Sequence, residues 1–437
     1  MARPRTRIPL DVFLNGRRVG QLRRQTDGAI DFRYDREWLA WEHAIPVSLS
    51  MPLSELRYAG APVVAVFDNL LPDDDDIRRR IAERSRAQGT DFYSLLAAIG
   101  RDCVGALQFI AEGEEVGPPG TLDARRITDA GIARVLGNLE RNPLGIDDGN
   151  EFRISLAGAQ EKTALLLWKK RWHVPHATTP TTHILKPQIG RLPNGLDLSD
   201  SVENEHFCLR LMNAFGVPVA PSQIVDFAGQ RTLVVERFDR FWTKDKRLLR
   251  VPQEDCCQAL SVPPSLKYET SGGPGMVAIA RLLKGSDRPE ADRRQFFKTQ
   301  SLFWLLGATD GHAKNFSIRL SPGGRFVSTP VYDVLSVQPN FDAGRIRRTQ
   351  MKLAMAVGGR RHYRLDEITP RHFLQTARFC DIPERTAIAV LDEVAQSADQ
   401  AMDKTLSSMP KDFPEKLAVS IINGAKTRLK TLGRDKD

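Results

Sequence analysis

The polar hexapeptide Asp310-Gly-His-Ala-Lys-Asn315 comes just after the apolar run FFKTQSLFWLLGA at 296–308. A polar loop at the end of a buried helix has no packing purpose, so its side chains invite a chemical reading. Transfer of a phosphoryl group to a hydroxyl needs a carboxylate to take or orient the hydroxyl proton. It also needs oxygen ligands for magnesium and cations to neutralise phosphate. Asp310 meets the first need, Asn315 offers an oxygen for a metal, and Lys314 offers a cation. Eighteen residues after Asn315, TPVYDVLSV places Asp333 in a short apolar run. A carboxylate there is costly unless it is paired or metal-bound, so Asp333 suits a second magnesium ligand. These residues alone leave plainer readings open: Asp310 capping a turn, His312 as a satisfied core histidine, and Asp333 as a buried helix cap.

The interval from Asp310 to Asn315 is that of H-R-D-x-x-x-x-N in protein kinases, where a second aspartate also binds magnesium. Here the histidine follows the aspartate, as in the D-x-H-x-x-N order of phosphoinositide kinases. Upstream, Lys186 closes the strand-like THILKP and could reach nucleotide phosphates, although snorkelling to solvent is the commoner fate of such a lysine. A helix is predicted after it, with Asp200 and Glu203 as a capping box and Gly216 as the stop. Glu205 falls on the apolar face of that helix and is a candidate ion-pair partner for Lys186. ISLAGAQEKTALLLW contains Ser155, Gly158 and Lys162 but is neither G-x-G-x-x-G nor a Walker A motif. By spacing alone it is a hairpin turn. In VVERFDRF (234–241) the backbone of Glu236 and Phe238 could face an adenine edge.

The elements that must position these residues belong to an ordinary globular chain. Its 437 residues are 41% hydrophobic and 27% charged, with 27 prolines and 32 glycines, which excludes collagen, coiled coil and wholesale disorder. This length predicts two or three folding units. Lys and Arg number 63 against 54 acids, a net charge of +9 that favours an anionic partner. The five cysteines (103, 208, 256, 257 and 380) form no CxxC, so neither a disulfide framework nor structural zinc is expected, and a reducing cytosol fits. The start lacks a signal-peptide core and no apolar run is long enough to span a bilayer, so a soluble cytoplasmic protein is expected.

Asn15-Gly16 sits between strand-like runs and predicts a hairpin turn. A helix is expected from Pro72, with Asp73 to Asp76 at its positive end; helix-start acids outweigh a metal reading of the four aspartates. The segment 113–150 is rich in turn formers, with a short helical pattern near 128–140, and predicts a connection between units. Strands are expected at 163–168, 182–186 and 231–236. Beyond about 240 long helices dominate, including one over 385–406 with Ile388, Leu391, Ala395, Ala398 and Met402 on its apolar face.

Together these segments resemble the HipA family, the toxin kinases of type II toxin–antitoxin modules. The resemblance covers nearly the whole chain: SLSMPL (48–53), FDNLLPD (67–73), IGRDCVGAL (99–107), FRISLAGAQEKTALL (152–166), PTTHILKP (180–187), VERFDR (235–240), PQEDCCQ (252–258), KYE with GGPG (267–275), GATDGHAKNFS (307–317), PRHFL (370–374) and DFPE (412–415). It implies an α+β fold of two lobes, mixed α/β first and all-helical second, the latter resembling phosphoinositide kinases. The implied divisions are an N-terminal subdomain at 1–115, a connection at 116–150, a nucleotide-binding part at 151–240 and a helical lobe at 241–437.

For activity, the resemblance implies an ATP- and Mg2+-dependent serine/threonine-protein kinase. Asp310 matches the catalytic aspartate, and Asn315 and Asp333 match the metal ligands. Ala157, Gly158, Ala159, Gln160, Glu161 and Lys162 match the phosphate loop, Lys186 the phosphate lysine, and Glu236, Arg237 and Phe238 the adenine segment. His312, Lys314 and Tyr332 lie in nucleotide-contact stretches, and Ser155 matches an autophosphorylated serine. The implied substrate is an aminoacyl-tRNA synthetase, typically the glutamyl enzyme, whose inhibition stops translation and leads to growth arrest and persistence. The implied partners are a HipB-like helix-turn-helix antitoxin and, through it, operator DNA, with repression of the operon. The stretch 341–378 holds nine Lys/Arg against three acids and could touch DNA, although a solvated face is the commoner meaning of such a run. Two other readings compete: a catalytically idle corepressor that serves as a scaffold for antitoxin and DNA, and a kinase for lipids or small molecules.

Overall fold

The structure is a computed structural model that describes residues 8–114, 116–146, 154–158, 160–192 and 195–432. It divides into two compact units that are not contiguous in sequence. The first holds residues 1–187, 225–265 and 317–326, and the second holds 188–224, 266–316 and 327–437. The units therefore cut across the expected boundary at 240, because the chain returns to the first unit twice after leaving it.

The first unit begins with five antiparallel strands: β1 (Leu10–Leu14), β2 (Arg17–Arg24), β3 (Ile30–Tyr34), β4 (Arg57–Ala59) and β5 (Leu107–Ala111), in the order β4-β3-β2-β1-β5. The predicted hairpin turn joins β1 to β2, with Asn15 at φ 47° and Gly16 at φ 80°. Alternation in β1 sends Leu10, Val12 and Leu14 into the core, where Phe32, Phe67 and Trp38 also pack. The helix expected from Pro72 runs Asp75–Ser85. Asp74 is its N-cap, taking the Ile77 N–H at 2.9 Å, while Asp75 and Asp76 occupy the first turn. Asp74, Asp75 and Asp76 thus work as helix-start acids.

A second sheet of the same unit contains β6 (Ala124–Arg126), β7 (Thr163–Trp168), β8 (Arg171–Pro175) and β9 (His183–Pro187), together with Ser222–Phe227 and Gln230–Glu236. Its order runs from Ser222–Phe227 through Gln230–Glu236, β9, β7 and β8 to β6. The three predicted strands are present. The expected connection is more than a linker, since β6 pairs with β8 and a Thr128-capped helix covers Asp129–Gly137. Seven short strands also follow residue 239, where the sequence predicts mostly helix. At three to six residues each they are too brief to show a period of two.

The second unit is built on the helices Ser201–Ala214, Met276–Leu283, Pro289–Leu306, Pro370–Phe379, Glu384–Ser407 and Glu415–Leu432, with a hairpin of Lys352–Val357 and His362–Arg364. Residues 296–306 are buried throughout, as their all-round apolar character predicts. The 384–407 helix buries Ala387, Val390, Leu391, Val394, Ala398, Ala401 and Met402. Leu391, Ala398 and Met402 of the predicted face are therefore buried, but Ile388 is 42% exposed and Ala395 is also exposed, the stripe turning to Ala387 and Val394 at those two positions. The expected Asp200–Glu203 capping box is absent. The Gln188 side chain caps this helix instead, taking the Val202 N–H at 2.9 Å and giving its own amide to Glu203 at 2.7 Å. All five cysteines are buried and free. No described helix is long and apolar enough to cross a membrane.

Candidate active site

The second unit carries the polar hexapeptide. The Pro289–Leu306 helix stops at Gly307, whose φ of 69° lets its N–H bond back to Phe303 and Trp304. The chain then passes so close to that helix that a Cβ at Gly311 would lie 2.3 Å from the Phe303 ring. Glycine is thus required here by close approach, and it fixes where the loop turns. The His312 N–H donates to the Asp310 carbonyl at 2.8 Å, and Ala313–Asn315 forms a single 3-10 turn closed by the Asn315 N–H on the His312 carbonyl. His312, Lys314 and Asn315 are buried by this turn, while Asp310 is left exposed at its entrance.

Asp333 is held from both sides. Val331 exchanges backbone bonds with Pro218 and Ala220, while the buried Asn204 amide donates to the Ser336 carbonyl and accepts the Ser336 N–H, each at 2.8 Å. Between these anchors Asp333 adopts φ 60°, a left-handed conformation uncommon for a non-glycine and found where surrounding structure imposes it. The Asn315 amide donates to the Asp333 carbonyl at 3.3 Å, and the Tyr332 hydroxyl donates to the Lys314 carbonyl at 2.9 Å. Two sequence-distant segments are thereby stitched into one cluster. Its donor set of one amide oxygen and one carboxylate suits a magnesium ion that takes its remaining ligands from phosphate and water.

The first unit carries the other expected residues. Gly158 has φ 102°, and a Cβ there would sit 2.7 Å from the Lys162 ammonium. That opening lets Lys162 fold back and donate to the Ala157 carbonyl at 2.6 Å, so the loop curls over its own cation. Glu161 pairs with Arg80 at 2.9 Å; burial raises its carboxyl and Arg80 opposes the rise. Gln160 is half-buried, and Ala159 lies outside the described residues. Ser155 is completely buried, its hydroxyl donating to the Leu70 carbonyl at 2.6 Å and its N–H to the Asp102 carbonyl at 3.0 Å. Lys186 stands on β9, 7% exposed, with its backbone opposite Leu233. Glu205 is buried on the Ser201–Ala214 helix of the second unit.

Of the adenine segment, Glu236 is exposed, Phe238 half-buried and Arg237 buried. The Arg237 side chain enters a network that the sequence did not reveal. Its guanidinium meets Asp239 at 2.7 Å and Asp102 at 3.6 Å; Arg240 meets Asp102 at 2.8 Å and Asp239 at 3.0 Å; Arg250 meets Asp102 at 2.9 Å. The Thr181 N–H and hydroxyl and the Gly105 N–H complete the carboxylates. Burial pushes the Asp102 carboxyl up, but Arg240, Arg250 and Arg237 together outweigh it and hold the group well below the usual carboxylate range. Burial and the adjacent Arg237 draw Arg240 down to about 10. The Arg237 N–H is engaged as well, donating to the Thr182 carbonyl at 2.9 Å.

Tyr268 is a second residue that sequence reasoning missed. Its hydroxyl donates to Asp310 Oδ1 at 2.6 Å, and its ring stands edge-on to His312 with centroids 4.8 Å apart. The KYE segment was legible as a motif, but 42 residues separate the pair and no spacing rule joins them.

Comparison with known proteins decides the lineage. Residues 10–110 match the HipA N-terminal domain and residues 154–402 match the HipA-like C-terminal domain. The chain belongs to the HipA family. Y4mE, a candidate kinase of Sinorhizobium fredii, is 36% identical over 355 residues, covering 80% of this chain and 81% of that protein. The serine/threonine-protein kinase toxin HipA of Shewanella oneidensis is 29% identical over 423 residues, 92% of this chain and 90% of that one. A Shewanella oneidensis HipA structure solved with HipB and operator DNA superposes with a TM-score of 0.81 at 24% identity, covering 97% of both chains, which establishes the shared fold. The HipA-like C-terminal match begins at Ile154, so it takes in Ser155 and every described residue of the candidate site.

Proposed function

We propose that this HipA-family chain is an ATP- and Mg2+-dependent serine/threonine-protein kinase that acts as the toxin of a type II toxin–antitoxin module. The observation that carries the reading is the stitching of Asn315 to Asp333 beside the exposed carboxylate of Asp310. Asn315 and Asp333 would hold magnesium, which when bound neutralises charge on the transferring phosphoryl group. Lys162 and Lys186 supply cations for the phosphates, and Gly158 lets the loop backbone from Ala157 to Lys162 approach them. The backbone of Glu236 to Phe238 takes the adenine edge. His312, Lys314 and Tyr332 line the nucleotide side of the turn. Asp310 accepts the proton of the substrate hydroxyl as its oxygen forms the new bond to phosphorus and the bond to the ADP oxygen breaks.

The substrate in this reading is an aminoacyl-tRNA synthetase, the glutamyl enzyme first, phosphorylated in the cytoplasm so that charging stops and growth arrests, the condition behind persistence. A HipB-like antitoxin neutralises the chain, and the complex sits on operator DNA as a repressor of the operon. Ser155 is the autophosphorylation site. Family membership and the kinase names of the relatives support this reading.

The test is to incubate the purified chain with labelled ATP, magnesium and glutamyl-tRNA synthetase. Label is expected on the synthetase and on Ser155, and Asp310→Gln is expected to abolish both while leaving ATP affinity within about threefold. Wild-type protein that behaves like Asp310→Gln would establish the scaffold reading. A collapse of nucleotide affinity in Asp310→Gln would assign Asp310 to metal placement rather than to the hydroxyl.

A further inference from the structure

Asp310 is an exposed carboxylate at the mouth of a loop, where an unrestrained side chain would sample several rotamers. A proton acceptor must sit within hydrogen-bond reach of the hydroxyl it serves, so something has to fix the rotamer. The Tyr268 hydroxyl donates to this carboxylate, 2.6 Å from Oδ1. Tyr268 is itself held. Its ring packs edge-on against the buried His312, and the carbonyl of the preceding Lys267 accepts the Ala313 N–H at 3.3 Å. The segment continues into Glu269, which takes the Ala356 N–H and the Arg361 guanidinium of the Lys352–Val357 hairpin. Gly275 comes so close to Glu269 that a Cβ there would fall 2.4 Å from its carboxylate, and one at Gly273 would fall 1.8 Å from the Leu266 carbonyl. The 267–275 segment is therefore locked to the hairpin on one side and to the hexapeptide turn on the other.

We propose that Tyr268 is the positioning residue of the catalytic aspartate: its hydroxyl clamps Oδ1 of Asp310 so that Oδ2 is presented to the substrate hydroxyl. This rests on the kinase reading above. A phenol on a carboxylate is also what a bound substrate hydroxyl would look like, so Tyr268 could instead be a placeholder that leaves on substrate binding. The two roles give opposite kinetics. Loss of a clamp slows the chemical step, whereas loss of a placeholder leaves it unchanged or faster.

The experiment compares wild type, Tyr268→Phe, Tyr268→Ala and Asp310→Gln in phosphate transfer from ATP to glutamyl-tRNA synthetase, with thermal unfolding of each. Tyr268→Phe keeps the ring on His312 and removes only the hydroxyl. It is expected to lower kcat about 10- to 100-fold, the weight of a hydrogen bond to a charged group, with KM for ATP within twofold and an unchanged unfolding temperature. Tyr268→Ala is expected to lower kcat at least as far and also to raise KM for ATP, because His312 loses its packing partner. A Tyr268→Phe enzyme with wild-type or higher kcat overturns the clamp while the kinase reading stands. Inactive wild-type protein indistinguishable from Asp310→Gln overturns both.

Discussion

Replacing Asp102 by asparagine removes one charge from a buried site and changes almost no volume. Three guanidiniums face this carboxylate: Arg240 at 2.8 Å, Arg250 at 2.9 Å and Arg237 at 3.6 Å. At an effective dielectric near 20 the first two attractions are worth about 6 kcal/mol each and the third about 5 kcal/mol. Desolvation of the acid and repulsion among the arginines offset most of that sum. The loss that remains on removing one partner of a buried ion network is about 3–5 kcal/mol. Asp239 would then be the carboxylate left beside Arg237 and Arg240. In a unit of this size such a loss lowers the unfolding temperature by about 10 °C, measured by scanning calorimetry at pH 7. The native carboxyl is held below its unfolded value, so its contribution is complete above about pH 4 and fades only as the pH falls further. Asp102→Asn should therefore be penalised equally at pH 6 and pH 8. A double-mutant cycle with Arg250→Met should give a coupling of about 1–3 kcal/mol. An Asp102→Asn protein that melts within 2 °C of wild type, or a coupling near zero, refutes the view that this network stabilises the fold.

Two further expectations follow from close packing and from burial. Gly311→Ala would put a methyl group 2.3 Å from the Phe303 ring, so the hexapeptide must shift; kcat should fall more than tenfold and the melting temperature by a few degrees, in the transfer and unfolding assays already described. Burial raises the Glu254 carboxyl to about 8, against the opposing Ser48 and Leu49 hydrogen bonds, and its Oε2 meets no hydrogen-bonding group. The native state then keeps a proton that the unfolded chain has released, so stability should decline from about pH 4.5 to 8. Glu254→Gln should flatten that decline and melt higher than wild type at pH 8, and equal slopes for the two proteins would count against it.

What could be read in the chain was local. The hexapeptide, the Asn15-Gly16 turn and the apolar run of Thr163–Trp168 each declare themselves within a few residues, because hydrogen bonds and side-chain faces repeat at short range. The arginine network could not be read in that way. Its members sit at 102, 237, 239, 240 and 250, and in sequence ERFDR looks like a charged strand end bound for solvent. Only the folded chain brings Thr181, Cys103 and Gly105 around it. Tyr268 was hidden for the same reason, and the exposed position of Ile388 on Glu384–Ser407 for a different one. Ile388 is bulky and apolar, yet the buried face is set by what packs opposite, and Ala387 and Val390 fill it. The discontinuous units have no sequence signal of their own, since a return crossing changes neither composition nor period.

Asp102 also connects the structural core to the residue proposed for self-modification. Its side chain gathers the arginines while its carbonyl accepts the Ser155 N–H at 3.0 Å, and the Ser155 hydroxyl is spent on the Leu70 carbonyl at 2.6 Å. The docked serine is completely buried, and it must leave this site before it can attack a phosphorus atom. On leaving it uncovers two carbonyl oxygens, at about 1–3 kcal/mol each if water does not replace the donors. A phosphate once added reverses the balance. Phosphoserine has no hydroxyl proton to give Leu70, and its roughly two negative charges would face a carbonyl oxygen in a buried pocket. Redocking is thus opposed by the same atoms that favoured docking. In the proposed kinase, a single transfer to Ser155 would disfavour return of the serine to the Leu70 and Asp102 carbonyls.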